Sequence, residues 1–430
     1  MKASQWAVMA VLCVAVQAEH RAALPQNDPG AGNARAMAIS RNSPAAKASL
    51  EFLLRQAAAI HHRRLRAETL DALGNPATCV RHRAGVTPAA KLAILKNLLD
   101  AGLADENDDQ AFPGGLLSGI FPPVLDDGGI CPRLPQLFIS APGSAFGQHH
   151  SYPGGLAIHE FNNAVSAVNL ASQYRRVYLS PGGPGCVSRH GCKATASPGL
   201  ISQDVIVGAP LWHDWAKVMV FQWHADGAEF QELNFGGNGA TDNYRKPGDS
   251  RTGAHHILGL AETMKRKLPP DMVITQAAAH ASPALGNEYK VVNWLRAAAI
   301  IAQVDPVATG YLAFDKSGNL RLPALRQLGS IDLNSASPSQ ANLLAEYSLH
   351  NLSDADFTYA APAILSAQLI LQKLAPDFGY HPADVARYNN HYRNVVLSNL
   401  TAERILILYS AQGIDGIRLE LHKLRAQGKI

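Results

Sequence analysis

The chain lacks most of the features that would place it quickly in a common functional class. No stretch reaches about 18 uninterrupted apolar residues, so a membrane span is not expected. Lys and Arg form no dense block and the formal net charge is only +4, which argues against a stable nucleic-acid partner. The sequence has no C-x-x-C pair, no G-x-S-x-G and no glycine spacing typical of a nucleotide-binding turn. These absences disfavour a Cys-based zinc site, a serine hydrolase and a dinucleotide-binding fold.

The composition is that of a folded protein, and the N-terminus resembles an export signal. Hydrophobic residues make up 47% and charged residues 17% of the 430 residues. A positive start at Lys2 is followed by an apolar run over 6–16 and by small residues, which predicts a signal peptide over 1–18 and a periplasmic or secreted protein. The alternative is a buried N-terminal helix. Residues 19–45 are rich in Ala, Asn, Pro and Gly and are expected to form a flexible leader.

Cysteine usage fits an exported protein. Removal of the signal peptide would leave four cysteines, Cys79, Cys131, Cys186 and Cys192, and an even number suggests two disulfides. Three pairings are possible. The short spacing of Cys186 and Cys192 favours a local bridge between them, which leaves Cys79 to pair with Cys131.

Hydrophobic periodicity predicts a mainly α fold. Apolar residues recur at helical spacing in most of the chain after residue 45. The period changes over 218–235, where Val, Phe and Trp flank Ala225-Asp226-Gly227, and this favours a small inserted β-hairpin. We expect one helical domain over 46–335 and a C-terminal helical region over 336–430. The predicted helices cover 46–73, 88–103, 159–178, 203–217, 255–267, 270–281, 287–304 and most of 338–427, and 112–144 is predicted to be an ordered loop.

Histidine is abundant, with 17 residues, and several histidines lie on different predicted helices. The doublet His213-Asp214 ends an apolar helix, where both side chains can turn toward one point. Imidazole nitrogens and carboxylate oxygens suit divalent metals, and ligands from facing helices suit the interior of a helical bundle. A bound ion would acidify a water molecule and supply a nucleophile near neutral pH. The pattern therefore predicts a metal site.

Two motifs resemble those of the HD superfamily of metal-dependent phosphohydrolases, in particular its exoribonuclease-like branch. That branch carries a segment of the form HHAYPGGLLEH, and this chain reads HHSYPGGLAIH over 149–159. The family's helix ending LLHDIGK is similar to LWHDWAK over 211–217. The resemblance covers about residues 146–310. It implies an HD-type helical bundle in which His159, His213 and Asp214 bind metal, with Asp214 bridging two ions.

The remaining family roles are carried over in chain order. The third ligand is His255, which has Gly259 four residues later, or its neighbour His256. His280 and Asp305 are expected to be the last ligands. Asp214 and Lys217 are the expected catalytic residues, and Lys217, His149 and His150 are expected to contact substrate. For His149 and His150 the alternative is a loop that caps the next helix.

The resemblance implies a hydrolase that holds one or two divalent ions, Mn, Fe, Mg or Zn. Its expected substrate is a small phosphorylated molecule or nucleotide, cleaved as a phosphomonoester or phosphodiester. Two other functions remain open. One is an HD-type di-iron oxygenase, since some relatives use the same ligand cluster to activate oxygen. The other is a metal-binding module without turnover.

Overall fold

The computed structural model describes residues 30–179, 200–229, 231–237, 249–283, 286–325 and 344–430. Within these ranges the fold is mainly α with two small two-stranded sheets, which confirms the predicted fold class. The helices are α1 (Asn33–Arg41), α2 (Pro44–Ala58), α3 (Arg63–Gly74), α4 (Pro88–Asp100), α5 (Asp108–Ala111), α6 (Gly115–Ile120), α7 (Gly155–Tyr178), α8 (Gln203–His213), α9 (Lys217–Val220), α10 (Ala254–Lys265), α11 (Pro270–Ala277), α12 (Glu288–Ala302), α13 (Ala345–Ser353), α14 (Phe357–Leu374), α15 (Val385–Tyr388), α16 (Asn394–Leu400) and α17 (Ala402–Ala426). The strands are β1 (Asn234–Phe235), β2 (Thr252–Gly253), β3 (Ala313–Phe314) and β4 (Leu320–Arg321).

Helix capping explains where several helices begin. The Ser43 hydroxyl accepts a hydrogen bond from the Ala46 amide at the start of α2, where Pro44 occupies the first turn. His62 caps α3 in the same way through its Nδ1 atom, which accepts from the Leu65 amide. The single helix predicted over 46–73 is therefore two helices, because the chain breaks before His62 and restarts on its cap.

Of the expected flexible leader over 19–45, the structure describes residues 30–45, which include α1. Asn33 is buried, donates to the Pro135 carbonyl and accepts from the Trp223 amide. Ile39 is buried as well. A low-complexity composition suggested a loose segment, but these contacts make α1 part of the packed body. The signal peptide predicted over 1–18 lies outside the described residues.

The β structure is smaller than the sequence predicted and lies partly elsewhere. Lys217–Val220 is helical, and within the described residues of the hairpin predicted over 218–235 the chain forms a single bridge between Trp223 and Glu229. After Asp214 the chain makes a turn, in which the Lys217 amide bonds to the Asp214 carbonyl, and then enters the short helix α9 in place of a strand. The strands that do form are β1, which pairs with β2, and β3, which pairs with β4.

Of the three hydrophobic clusters among the described residues, two hold most of the helices together. The larger one contains Trp212 and Trp215 and extends from α2 to α13. The smaller one is built mainly from α14, α16 and α17, and it includes Tyr152 from the loop before α7. The C-terminal helices thus pack onto the segment that carries the first histidine motif. Among the described helices, none combines the length and the apolarity that a bilayer span needs.

One of the expected disulfides is present. Cys79 bonds to Cys131, across a sequence separation of 52 residues. The other expected pair, Cys186 with Cys192, lies outside the described residues. A disulfide is compatible with the oxidising compartment that the cysteine count suggested.

Candidate metal centre

Six His and Asp side chains converge in two sets that meet at Asp214. The first set is His159, His213 and Asp354, and the second set is Asp214, His255 and His280. Within each set, one nitrogen or oxygen from every residue lies within 4.8 Å of the others. Each of these sets could hold a metal ion, and every member is buried except His280, which is exposed.

Asp214 joins the two sets because its two oxygens face opposite ways. Oδ2 lies 3.2 Å from His159 Nε2 and 3.4 Å from His213 Nε2. Oδ1 lies 3.1 Å from His255 Nε2. Asp354 Oδ1 completes the first set at 3.1 Å from the Nε2 atoms of both His159 and His213. One carboxylate therefore contacts both groups of imidazoles.

The first motif places His159 in the opening turn of α7. Before the helix, the chain folds back so that the Gly143 amide donates to the His150 carbonyl. Gly155 lies so close to that carbonyl that a Cβ atom at this position would be 1.9 Å from the oxygen, which explains the glycine. The turn brings the ring centroids of His149 and His150 to 5.1 and 5.5 Å, respectively, from the ring centroid of His159.

The second motif places His213 and Asp214 at the end of α8. Pro210 interrupts the helical hydrogen bonds there, and the His213 Nδ1 atom lies 3.1 Å from the Pro210 carbonyl. Asp214 follows directly as the helix C-cap. Lys217, one turn later, donates from Nζ to the Asp214 carboxylate and to the Gly143 carbonyl.

The small sheet places His255 opposite Glu232. In the pairing of β1 with β2, Asn234 faces Gly253. In an antiparallel pair, two residues before Asn234 lie opposite two residues after Gly253. This places Glu232 beside His255, the second residue of α10. The Glu232 carboxylate lies 2.6 Å from His255 Nδ1, so the Nε2 atom of the same ring faces Asp214.

His256 does not belong to either set, so the structure favours His255 as the third ligand. The His256 ring is completely buried and stacks on the His280 ring with 4.1 Å between centroids. Neither of its nitrogens has a hydrogen-bond partner within the described part of the chain. His280 in turn lies 2.8 Å from the Thr252 hydroxyl through Nδ1.

Asp305, predicted as the last ligand, lies away from both sets. It is exposed, and its Oδ1 atom accepts hydrogen bonds from the amides of Val307 and Ala308. It lines a separate cleft of about 670 Å³ between α4 and α12. An Asp that follows an apolar helix resembles a ligand in sequence, but here it caps the next turn.

Asp354 takes the position that the sequence reading gave to Asp305. It is the C-cap of α13, in the predicted C-terminal helical region over 336–430. Two residues later, Asp356 lies 3.0 Å from His159 Nδ1. The sequence feature that could have indicated this ligand is the pair Asp354 and Asp356 between two helices.

Glu160 and His350 also lie at the site and were not predicted. Glu160 Oε1 is 3.2 Å from His213 Nδ1, and burial raises the pKa of this carboxyl. The His350 ring lies 5.1 Å from the His213 ring, and burial lowers the pKa of His350 to about 3. Both side chains are buried, so they shape the environment of the first set.

The carboxylates control the charge of the imidazoles. Burial alone disfavours a charged ring, but Asp356 raises the pKa of His159 well above its usual value. Asp214 does the same for His213, and Glu232 raises the pKa of His255. Burial also opposes ionisation of Asp214 and Asp354, yet the nearby His213 holds both pKa values well below their usual range. The site thus combines ionised carboxylates with imidazoles that carry protons.

Unsatisfied polar atoms show that the site fits a cation. The Nε2 atoms of His213 and His255 and the Oδ1 atom of Asp214 are buried, and none makes a well-directed hydrogen bond among the described residues. Their contacts of 3.1 to 3.4 Å to neighbouring site atoms are close but not aligned for hydrogen bonding. Buried polar atoms without partners are costly, and ions bound in the two sets would satisfy them.

The substrate residues expected from sequence lie beside the centre in different environments. His150 is bound on both ring nitrogens, at 3.1 Å from the Tyr152 hydroxyl and 3.0 Å from Asp356 Oδ2. His149 is half-buried between His159 and the exposed Phe357. Burial, together with the nearby Lys217, lowers the pKa of His149 well below its usual value. His149 is therefore a neutral ring at the edge of the site.

Comparisons with known proteins add no family assignment. No protein-family model matches the chain, and neither the curated proteins nor the solved structures contain a match.

Proposed function

We propose that the protein is a metal-dependent phosphohydrolase with a two-ion centre of the HD type. The observation that carries the proposal is the sharing of Asp214 between two complete ligand sets. One ion would be held by His159, His213 and Asp354, the other by His255 and His280, with Asp214 contributing to both. Bound divalent ions would supply an activated water molecule and would hold phosphate oxygens.

The chain's own residues suit a phosphate ester. Lys217 has three N–H donors, and two of them bond to Asp214 and Gly143, so one remains for a phosphate oxygen. The neutral His149 ring has one N–H group and one lone pair, so it can bind an oxygen or a leaving group beside the centre. His150 is already bound on both nitrogens and is better explained as support for Asp356 than as a substrate contact.

The same centre supports a proposed class of substrate and location. A phosphomonoester or phosphodiester of a small molecule or nucleotide is the proposed substrate, and the disulfide favours a periplasmic or secreted protein. Iron in the same two sets would instead favour the oxygenase alternative. Metal binding without turnover would favour the non-catalytic module.

The test is a phosphate-ester panel assayed with purified protein loaded with Mn, Fe, Mg or Zn. We expect hydrolysis by wild type, and loss of both metal and turnover in Asp214→Asn. Asp305→Asn is the matched control, because it makes the same chemical change at the exposed Asp and should keep full activity. Turnover by Asp214→Asn without metal would overturn the proposal. Iron with an optical signature and no hydrolysis would replace it with the oxygenase.

A further inference from the structure

Asp356 and Glu232 lie outside the two sets that meet at Asp214, and each contacts the Nδ1 atom of one ligand histidine. Asp356 also forms a separate group with His150 and His159. Asp356 Oδ1 is 3.0 Å from His159 Nδ1, and Glu232 Oε2 is 2.6 Å from His255 Nδ1. In both rings the opposite nitrogen, Nε2, faces Asp214. Each set therefore contains one histidine held between an outer carboxylate and the shared inner one.

The outer carboxylates are ionised and accept hydrogen bonds. Asp356 Oδ1 and Glu232 Oε2 lie within hydrogen-bonding distance of the Nδ1 atoms, and carboxyl groups ordinarily ionise well below neutral pH. An ionised carboxylate can only accept, so the Nδ1 atom of each ring carries the proton of this hydrogen bond. With a proton on Nδ1, a neutral imidazole keeps its lone pair on Nε2, the nitrogen that faces the centre.

We propose that Asp356 and Glu232 are positioning residues, each of which fixes the tautomer of one ligand histidine and thereby sets the metal affinity of one set. Asp356 acts on the first set through His159, and Glu232 acts on the second set through His255. This inference rests on the proposed metal centre. Carboxylates that orient metal-binding histidines in this way typically change metal affinity by about 10- to 100-fold.

The surroundings of Asp356 make Asn an informative substitution. Oδ1 accepts from His159, while Oδ2 accepts from the Asn162 amide at 3.2 Å and lies 3.0 Å from His150 Nε2. Asn162 directs its NH₂ group to this side because its Oδ1 atom accepts from the Ser166 hydroxyl, so the amide oxygen of an Asp356→Asn side chain belongs there. Its NH₂ group then faces His159 Nδ1 and forces the proton onto Nε2. The change preserves size and removes the lone pair that the first set needs.

The experiment is a calorimetric titration of chelator-treated protein with Mn²⁺. We expect two binding events in wild type. Asp356→Asn should weaken one of them by about 10- to 100-fold and leave the other within about threefold. Glu232→Gln should weaken the other event, and the double variant should weaken both. Asp415→Asn is the control, because it makes the same chemical change at an aspartate whose side chain is 84% exposed and pairs with Arg418.

The outcomes separate this inference from the proposed function. If the Asp356→Asn variant bound Mn²⁺ with both wild-type affinities, the positioning role would be overturned and the metal centre would stand. Equal weakening of both events by either single variant would also overturn it, because the roles are assigned to separate sets. No binding in wild type would refute the metal centre and this inference together. A folding defect would lower the number of binding-competent molecules, and thus the stoichiometry, without changing the affinity of the remaining ones.

Discussion

Metal binding should release protons, and the number follows from the charge state of each set. His159 and His213 in the first set and His255 in the second have raised pKa values because carboxylates surround them, although burial works in the opposite direction. His280 is the exception: although the residue as a whole is exposed, desolvation of its ring and the neighbouring His255 lower its pKa to about 4. An ion needs the unprotonated nitrogen, so near neutral pH we expect two protons from the first set and one from the second.

The sign and the size of the pH dependence follow from this count. Protons compete with the ion, so affinity rises with pH until the raised pKa values are passed. Each proton released changes affinity about tenfold per pH unit, which gives about 100-fold for the first set and tenfold for the second. Calorimetry in buffers of different ionisation enthalpy measures the proton count directly. His61→Gln, at a histidine whose side chain is 87% exposed, should leave the count unchanged. A heat of binding that is independent of the buffer would refute this account of the charges.

Further predictions concern stability and individual residues. Chelated protein should lose stability as pH rises through the raised histidine pKa values, because their contribution is complete only below about 6.5, and urea midpoints across pH would detect the loss. His256→Phe should keep both ions and raise the melting temperature, since Phe retains the stacking and removes two unpaired nitrogens. Asp354→Asn should lose one ion and Asp305→Asn none, as measured by metal analysis. Replacing Cys79 and Cys131 by Ser should cost about 4 kcal/mol of unfolding free energy for a loop of 52 residues, and an unchanged urea midpoint would contradict it.

Local sequence motifs predicted much of the site because each motif is also a local structural device. The glycines before α7 allow the close turn that presents His159, and the end of α8 presents His213 with Asp214. These positions depend on neighbours within a few residues. The structure accordingly brings both motifs together at one centre, as their order along the chain predicted.

The last ligand depended on information that lies far apart in the chain. Asp305 and Asp354 both follow a helix, and only the packing of α13 against α7 decides which carboxylate reaches His159. Contacts between distant parts of the chain also decide whether His255 or His256 is the ligand. Residues that are adjacent on a helix point in different directions, and the pairing of β1 with β2 turns His255 toward Asp214. Long-range packing of this kind leaves no periodic signal in the sequence.

In the proposed centre, one ion lies on each side of Asp214. Anomalous diffraction from crystals of Mn²⁺-loaded protein, recorded near the manganese absorption edge, tests it most directly. We expect two anomalous peaks, one among His159, His213 and Asp354 and one beside His255 and His280, with Asp214 between them. An Mn²⁺-loaded crystal with no peak at these residues, or with its ions bound elsewhere on the chain, would contradict it.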